Sequence, residues 1–183
     1  MGAVIDIHET LIARCKKGDR KAQYEVYRLY SKAMFNVAMR ITQDYMEAED
    51  VLQEAFVRAF KNLESFKGDS TFGAWFKRIV VNTSINHIKK RKMEFVEMED
   101  RFVEAEESDK HIDFESYGSE WNMEVIRKAI DKLPDGYRVV FSLYLLEGYD
   151  HQEIGNILGI SEATSKSQYS RAKKKLREFL KEL

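Results

Sequence analysis

Residues 150–177 read DHQEIGNILGISEATSKSQYSRAKKKLR. Asp150 and Glu153 have the spacing of a capping box: a cap carboxylate bonds the third helical amide, and the glutamate reaches back to the cap. Tyr149 and Ile154 flank them at the spacing of a hydrophobic staple. These signals agree on a helix that starts at Asp150 and buries Ile154, Ile157 and Leu158. Gly155 lacks a side chain and admits a neighbouring helix at close range. Gly159, Ile160 and Ser161 make a turn, and Ser161 caps the next helix. Two helices across so short a turn form a helix-turn-helix.

The second helix is expected from Glu162 to about Leu180. It carries Lys166, Arg171, Lys173, Lys174, Lys175 and Arg177. Thr164, Ser165, Lys166, Ser167, Gln168, Ser170 and Arg171 are expected at its early exposed positions. Short hydrogen-bonding groups mixed with cations suit base edges and phosphates in a major groove. A charged surface helix is the plain alternative, but it would need neither the capped helix nor the glycine turn before it.

Upstream, a helical pattern at Val125, Ile126, Ala129, Ile130 and Leu133 is punctuated by Pro134-Asp135-Gly136. Another helix follows through Val139, Val140, Leu143, Tyr144 and Leu146, with Gly148 as its C-cap. From Glu94 to Glu120 the pattern vanishes. Acidic residues crowd there, opposed by Arg101 and Lys110, with Phe95, Phe102 and Phe114 as islands. This stretch is expected to be a flexible acidic linker.

The first part of the chain is also helical in pattern. Residues 9–42 read as two helices broken at Gly18-Asp19. Ala48, Val51, Leu52, Ala55, Phe56, Ala59, Phe60 and Leu63 then keep three-four spacing without a miss. The opposite face holds Glu47, Asp50, Gln53, Glu54, Val57, Arg58 and Lys61. After a break at residues 65–69, Ser70 is the expected N-cap of a helix with Phe72, Trp75, Phe76, Ile79, Val80 and Thr83 inward. That helix ends in the basic run Lys89-Lys90-Arg91-Lys92.

The expected fold is therefore all-α. It has two small helical domains, 1–93 and 121–183, joined by the linker 94–120. A single proline among 183 residues agrees. The net charge of -1, from 30 Lys+Arg against 31 Asp+Glu, points to no partner, so charge distribution carries the information. The single cysteine, Cys15, excludes an internal disulfide and is expected to be a plain helix residue. No run reaches the about 18 apolar residues of a membrane span and no signal-peptide core is evident, so a cytoplasmic protein without membrane insertion is expected. His151 has no His or Cys at ligand spacing, and no nucleophile-base pair or phosphate loop occurs. Neither metal, cofactor nor enzymatic activity is expected.

The stretch LPDGYRVVFSLYLLEGYDHQEIGNILGISEATSKSQYSRAKKKL, residues 133–176, resembles region four of extracytoplasmic-function (ECF) sigma factors of the sigma-70 family. DYMEAEDVLQEAFVRAF, residues 44–60, is similar to the acidic polymerase-binding helix of their region two. FKGDSTFGAWFKRIVVNTSINHIKKRK, residues 66–92, is similar to the segment that reads the minus-ten element. The resemblance implies an alternative sigma factor that directs promoter recognition, DNA melting and transcription initiation. It implies that Asp50, Gln53 and Glu54 dock on the clamp coiled coil of core RNA polymerase, with the flap as a second contact. It implies that Phe66, Asn82 and Asn86 handle a flipped base of the non-template strand, whose backbone Arg78 and Lys89 hold. Single strands are bound by aromatics in a positive groove, and an extruded base is read at its edges. Lys166, Ser167, Ser170, Arg171, Lys173 and Lys174 would meet minus-thirty-five DNA. An anti-sigma factor would be the regulator.

The chain departs from the pattern at Ser165, where valine is common, at Gln168, where arginine is common, and at Asn156, where a small apolar residue is usual. Ser165 is expected to cost apolar packing. Two rival readings are a DNA-binding regulator with an N-terminal ligand domain and a recombinase with a C-terminal helix-turn-helix. The first predicts tight duplex binding without polymerase. The second needs a nucleophile among clustered cations, which the N-terminal half does not offer.

Overall fold

The structure, a computed structural model, describes residues 7–90 and 123–181. The chain divides after Arg91 into two compact units, and every regular element described is helical. The linker expected over 94–120, with its three phenylalanines, and the basic residues Arg91 and Lys92 lie outside the described residues.

The first unit holds α1 (Ile7–Lys16), α2 (Arg20–Thr42), α3 (Tyr45–Lys61) and α4 (Phe72–Lys90). The Gly18-Asp19 break is present. Gly18 takes φ +79, a left-handed conformation that suits glycine, and the Asp19 carboxylate accepts from the amides of Lys21 and Ala22. Arg14 binds the other carboxylate oxygen at 2.7 Å. The Arg14 hydrogen bond, then that of the Ala22 amide, holds the Asp19 carboxyl below its usual range.

Helices α2, α3 and α4 pack pairwise. On α3, Ala48, Val51, Leu52, Ala55, Phe56 and Ala59 are buried. Its three alanines let the neighbouring helices approach closely. Phe76 sits at the centre, fully buried, with the rings of Phe56 at 4.5 Å and Phe72 at 5.8 Å. Burying such a side chain contributes about 1.5–3 kcal/mol. Thr83 and Ser84 are buried too, and each hydroxyl donates to the carbonyl four residues back, Ile79 or Val80.

Two details of α4 differ from expectation. Its cap is Thr71, whose Oγ1 accepts from the Ala74 amide at 3.2 Å, while Ser70 lies one residue too early to reach the third amide. Trp75 and Ile79 are half-buried rather than inward. The buried arc runs instead from Phe72, Phe76 and Val80 on to Val81, Ser84, Ile85 and Ile88, because α4 lies against both α2 and α3.

The second unit holds α5 (Met123–Asp131), α6 (Asp135–Phe141), α7 (His151–Leu158) and α8 (Glu162–Lys181). Helix α6 begins directly after Pro134, so Asp135 and Gly136 belong to its first turn. It runs into a π-helical turn, Ser142–Leu146, which nothing in the sequence marks. Gly148 follows at φ +78, and the Tyr149 amide reaches back to the Leu143 carbonyl at 3.0 Å, so the expected C-cap is in place. Helix α8 packs on α5, α6 and α7, burying Tyr169, Ala172, Leu176 and Leu180. Arg138 is buried at 2% exposure. It pairs with Asp135 at 2.5 Å and donates to the Leu133 carbonyl at 3.2 Å, fastening the start of α6 to the turn before it.

Candidate nucleic-acid interfaces

The expected helix-turn-helix is α7, its turn and α8. The capping box is complete. The Glu153 amide donates to Asp150 Oδ1 at 2.7 Å, and the Asp150 amide donates to Glu153 Oε2 at 3.0 Å. Helix α7 closes at Gly159, φ +77, whose amide donates to the Gly155 carbonyl. Ser161 Oγ accepts from the Thr164 amide at 3.0 Å. The turn folds tightly over Gly155: a Cβ there would lie 2.8 Å from the Ile160 carbonyl oxygen.

Helix α8 sorts its residues by period. Ser165 is fully buried and Gln168 nearly so, against the expectation that both are exposed. Ser165, Tyr169, Ala172, Leu176 and Leu180 recur at three-four spacing and form the inward stripe. The Ser165 hydroxyl and His151 Nδ1 are hydrogen-bonded at 2.9 Å, and the imidazole stacks flat on Tyr144 with centroids 4.4 Å apart. A polar clasp between the two helices therefore stands where apolar packing is usual. Ser165→Ala removes the buried hydroxyl and with it the hydrogen bond to the half-buried His151. Loss of such a hydrogen bond costs about 0.5–1.5 kcal/mol. A lower urea midpoint for unfolding of the second unit should register the loss.

Lys173 also falls on the inner side. It is 9% exposed, with Nζ 4.8 Å from the Tyr169 ring centroid. It does not stand with the other cations. The outer face holds Lys166, Ser170 and Lys174 exposed, with Ser167 and Arg171 half-buried between them. The spacing of these five positions puts them on one continuous strip of helix. Lys166 pairs with Glu162 at 2.9 Å, an exposed contact of small energetic weight.

The first unit presents a second strip. Arg78, Asn82, Asn86 and Lys89 are all exposed on α4 at three-four spacing, over about 16 Å of helix. Phe66 sits at the end nearer Trp75 and is half-buried. Its ring packs against Trp75 at 5.4 Å and edge-on to Phe72 at 5.7 Å. On α3, Asp50 and Gln53 are exposed. Glu54 is half-buried and engaged, with Arg58 at 2.5 Å and His87 of α4 at 2.9 Å. The hydrogen bond from His87, then that from Arg58, holds its carboxyl below the ordinary range. Beside Gln53 lies a shallow groove of mixed character between α2 and α3, where Tyr27, Phe35, Tyr45 and Leu52 alternate with Ser31, Lys32 and Glu49. The inward stripe of α3 does not announce this groove, although Tyr45, an aromatic residue outside that stripe, is its trace in the sequence.

Residues 26–94 match Sigma-70 region 2, and residues 123–176 match Sigma-70, region 4. The ECF RNA polymerase sigma factor SigW of Bacillus subtilis is 31% identical over 185 aligned residues, spanning 94% of this chain and 96% of SigW. The chain belongs to the ECF sigma factors of the sigma-70 family.

This sigma factor is also similar to the ECF RNA polymerase sigma-E factor of Escherichia coli, with 30% identity over 90% of each chain. Among solved structures it resembles RpoE of Bartonella quintana, crystallised with the anti-sigma factor NepR. There the TM-score is 0.56 and the identity 26%, over 86% of this chain and 96% of that one. CnrH, solved with the cytosolic domain of CnrY, shares the fold at a TM-score of 0.56 and 23% identity, over 96% of this chain and 98% of CnrH. The protein is an alternative sigma factor directing transcription initiation, a DNA-binding initiation factor and not an enzyme. The regulator and recombinase readings give way, since neither accounts for a region-two match in the first unit. No helix among the described residues is long and apolar enough to cross a membrane.

Proposed function

We propose that this sigma factor divides initiation among three surfaces. Asp50, Gln53 and Glu54 dock on the clamp coiled coil of core RNA polymerase. The α4 strip Arg78, Asn82, Asn86 and Lys89, with Phe66 at its end, takes the non-template strand of the minus-ten element. Lys166, Ser167, Ser170, Arg171 and Lys174 read the minus-thirty-five duplex, while region four meets the polymerase flap. Lys173 backs that face by bracing Tyr169 rather than by touching DNA. The first two surfaces belong to the domain 1–93 and the third to the domain 121–183, with 94–120 as the linker between the domains. The work is cytoplasmic, and an anti-sigma factor is the regulator, as the NepR complex of Bartonella quintana RpoE suggests by analogy.

The observation that carries this reading is the chemistry of the two exposed strips. One pairs two amides with flanking cations, and the other mixes hydroxyls with cations on a capped helix. Amides suit the edges of an unstacked base. Arg or Lys in a major groove supplies about 1–3 kcal/mol of discrimination per bidentate contact. Arg171→Ala should therefore weaken the closed complex and change tolerance of minus-thirty-five mutations. Asn82→Ala should leave closed-complex binding nearly intact and slow opening. Heparin-sensitive binding beside permanganate footprinting separates the two. The opposite assignment of defects would end this reading.

A further inference from the structure

We propose that Lys16, at the end of α1, is a positioning residue for minus-ten base recognition. Its Nζ donates to the main-chain carbonyl of Phe66, 50 residues away in sequence, at 2.8 Å. The same ammonium lies 5.9 Å from the Phe66 ring centroid. One cation thus holds both the backbone and the face of the residue that ends the strand-reading strip. Its neighbour Lys17 is exposed, whereas Lys16 is half-buried.

The loop has need of such a hold. Downstream of Phe66, residues 67–71 are all exposed, and Gly68 takes φ +85. Phe66 is the last fixed point of this loop before the Thr71 cap of α4. Its amide donates to the Leu63 carbonyl at 3.1 Å, its ring rests on Trp75 and Phe72, and Lys16 fixes its carbonyl. A recognition pocket discriminates only when its walls stay within about 0.5 Å of the productive geometry. Lys16 fixes the Phe66 wall to the end of α1, because the carbonyl cannot shift without breaking a charge-assisted bond. Helix α1 precedes the region-two match, which begins at residue 26, so the family assignment gives it no part in DNA reading. The far side of the residue is also secured: Arg14, half a turn earlier, binds the Asp19 cap of α2 and fixes the end of α1.

The inference rests on the reading of Phe66, Asn82 and Asn86 as the base pocket, and the experiment keeps the two apart. Holoenzyme is assembled from core polymerase and the full chain. Its affinity is measured on pre-melted minus-ten templates carrying either the cognate or a substituted base at the flipped position. Lys16→Met keeps the stem and removes the donor. It should cut the cognate-to-substituted ratio by on the order of tenfold, the scale of one lost base contact. Lys16→Arg, which donates at similar reach, should recover most of it. Lys16→Gln serves as a second donor-weakened variant if Lys16→Met fails to fold. Asn82→Ala is the reference for the pocket. If Asn82→Ala loses discrimination while the Lys16 variants keep it, or lose affinity equally on both templates, Lys16 has no positioning role. Failure of Lys16→Arg to recover the ratio overturns it as well. If Asn82→Ala keeps discrimination, the pocket reading falls and this inference falls with it.

Discussion

Asp50→Arg is expected to leave region two folded and to remove most of its affinity for core RNA polymerase. Asp50 is exposed on α3 and takes no part in the helix cap, which Asp44 supplies. A cation at this position would stand four residues before Glu54 and three after Glu47, so the helix gains attraction rather than repulsion. Docking suffers instead. Reversing a charge at a desolvated contact costs about 2–5 kcal/mol, a weakening of roughly thirtyfold to several thousandfold. Glu54 makes a poorer probe, although it lies on the same face. Its carboxylate already bridges Arg58 and His87, so Glu54→Gln loosens the α3–α4 contact and mixes a folding defect with a docking defect. Titration of labelled core polymerase, beside a thermal melt of the free protein, separates the two. An unchanged Kd for Asp50→Arg would remove α3 from the docking surface.

The parts of this molecule that were legible in its sequence are those fixed by short-range spacing. The capping box at Asp150 and Glu153, the break at Gly18-Asp19 and the alanine-rich stripe of α3 each depend on residues within one or two turns of each other. Such spacing translates directly into geometry. Ser165, Gln168 and Lys173 were misplaced because neighbouring residues on a helix point in different directions. Extending the stripe from Tyr169 through Ala172 and Leu176 would have put Ser165 and Lys173 on the inner side. Other features had no local signal. Lys16 meets Phe66 across 50 residues, and Glu54 meets His87 across 33. Both contacts exist only because the elements of the first unit pack together. The His151–Ser165 clasp is intermediate: its residues were visible as oddities, but their pairing required the angle between α7 and α8.

Gly155→Ala should be the most damaging single-methyl change in region four. Glycine inside a helix ordinarily costs about 1 kcal/mol relative to alanine, so the substitution would stabilise an isolated α7. Here the turn reverses the sign. The new Cβ would lie 2.8 Å from the Ile160 oxygen, 3.6 Å from the Glu162 nitrogen and 3.7 Å from the Ser161 carbonyl carbon, all main-chain atoms. No side-chain rotation relieves that contact. The turn is also tied to the same residue, since the amides of Gly159 and Ile160 both donate to the Gly155 carbonyl at 2.8 and 3.1 Å. Moving Ile160 away therefore strains those bonds and shifts the Ser161 cap, from which α8 starts. Overpacking of this kind costs about 1–3 kcal/mol. The outer strip of α8 moves with its N-terminus, and each misread base pair costs about 1–3 kcal/mol, so minus-thirty-five binding should fall by tenfold or more. Gly159→Ala provides the contrast. It has φ +77 but open space around the missing Cβ, so it meets only the left-handed backbone penalty of about 1–2 kcal/mol and leaves the direction of α8 unchanged. Urea unfolding followed with promoter binding by holoenzyme distinguishes the pair. Both variants should bind core polymerase through region two, and only Gly155→Ala should lose minus-thirty-five dependence. A Gly155→Ala protein with unaltered stability and promoter preference would mean that the close approach of the turn to α7 does not set the position of the recognition helix.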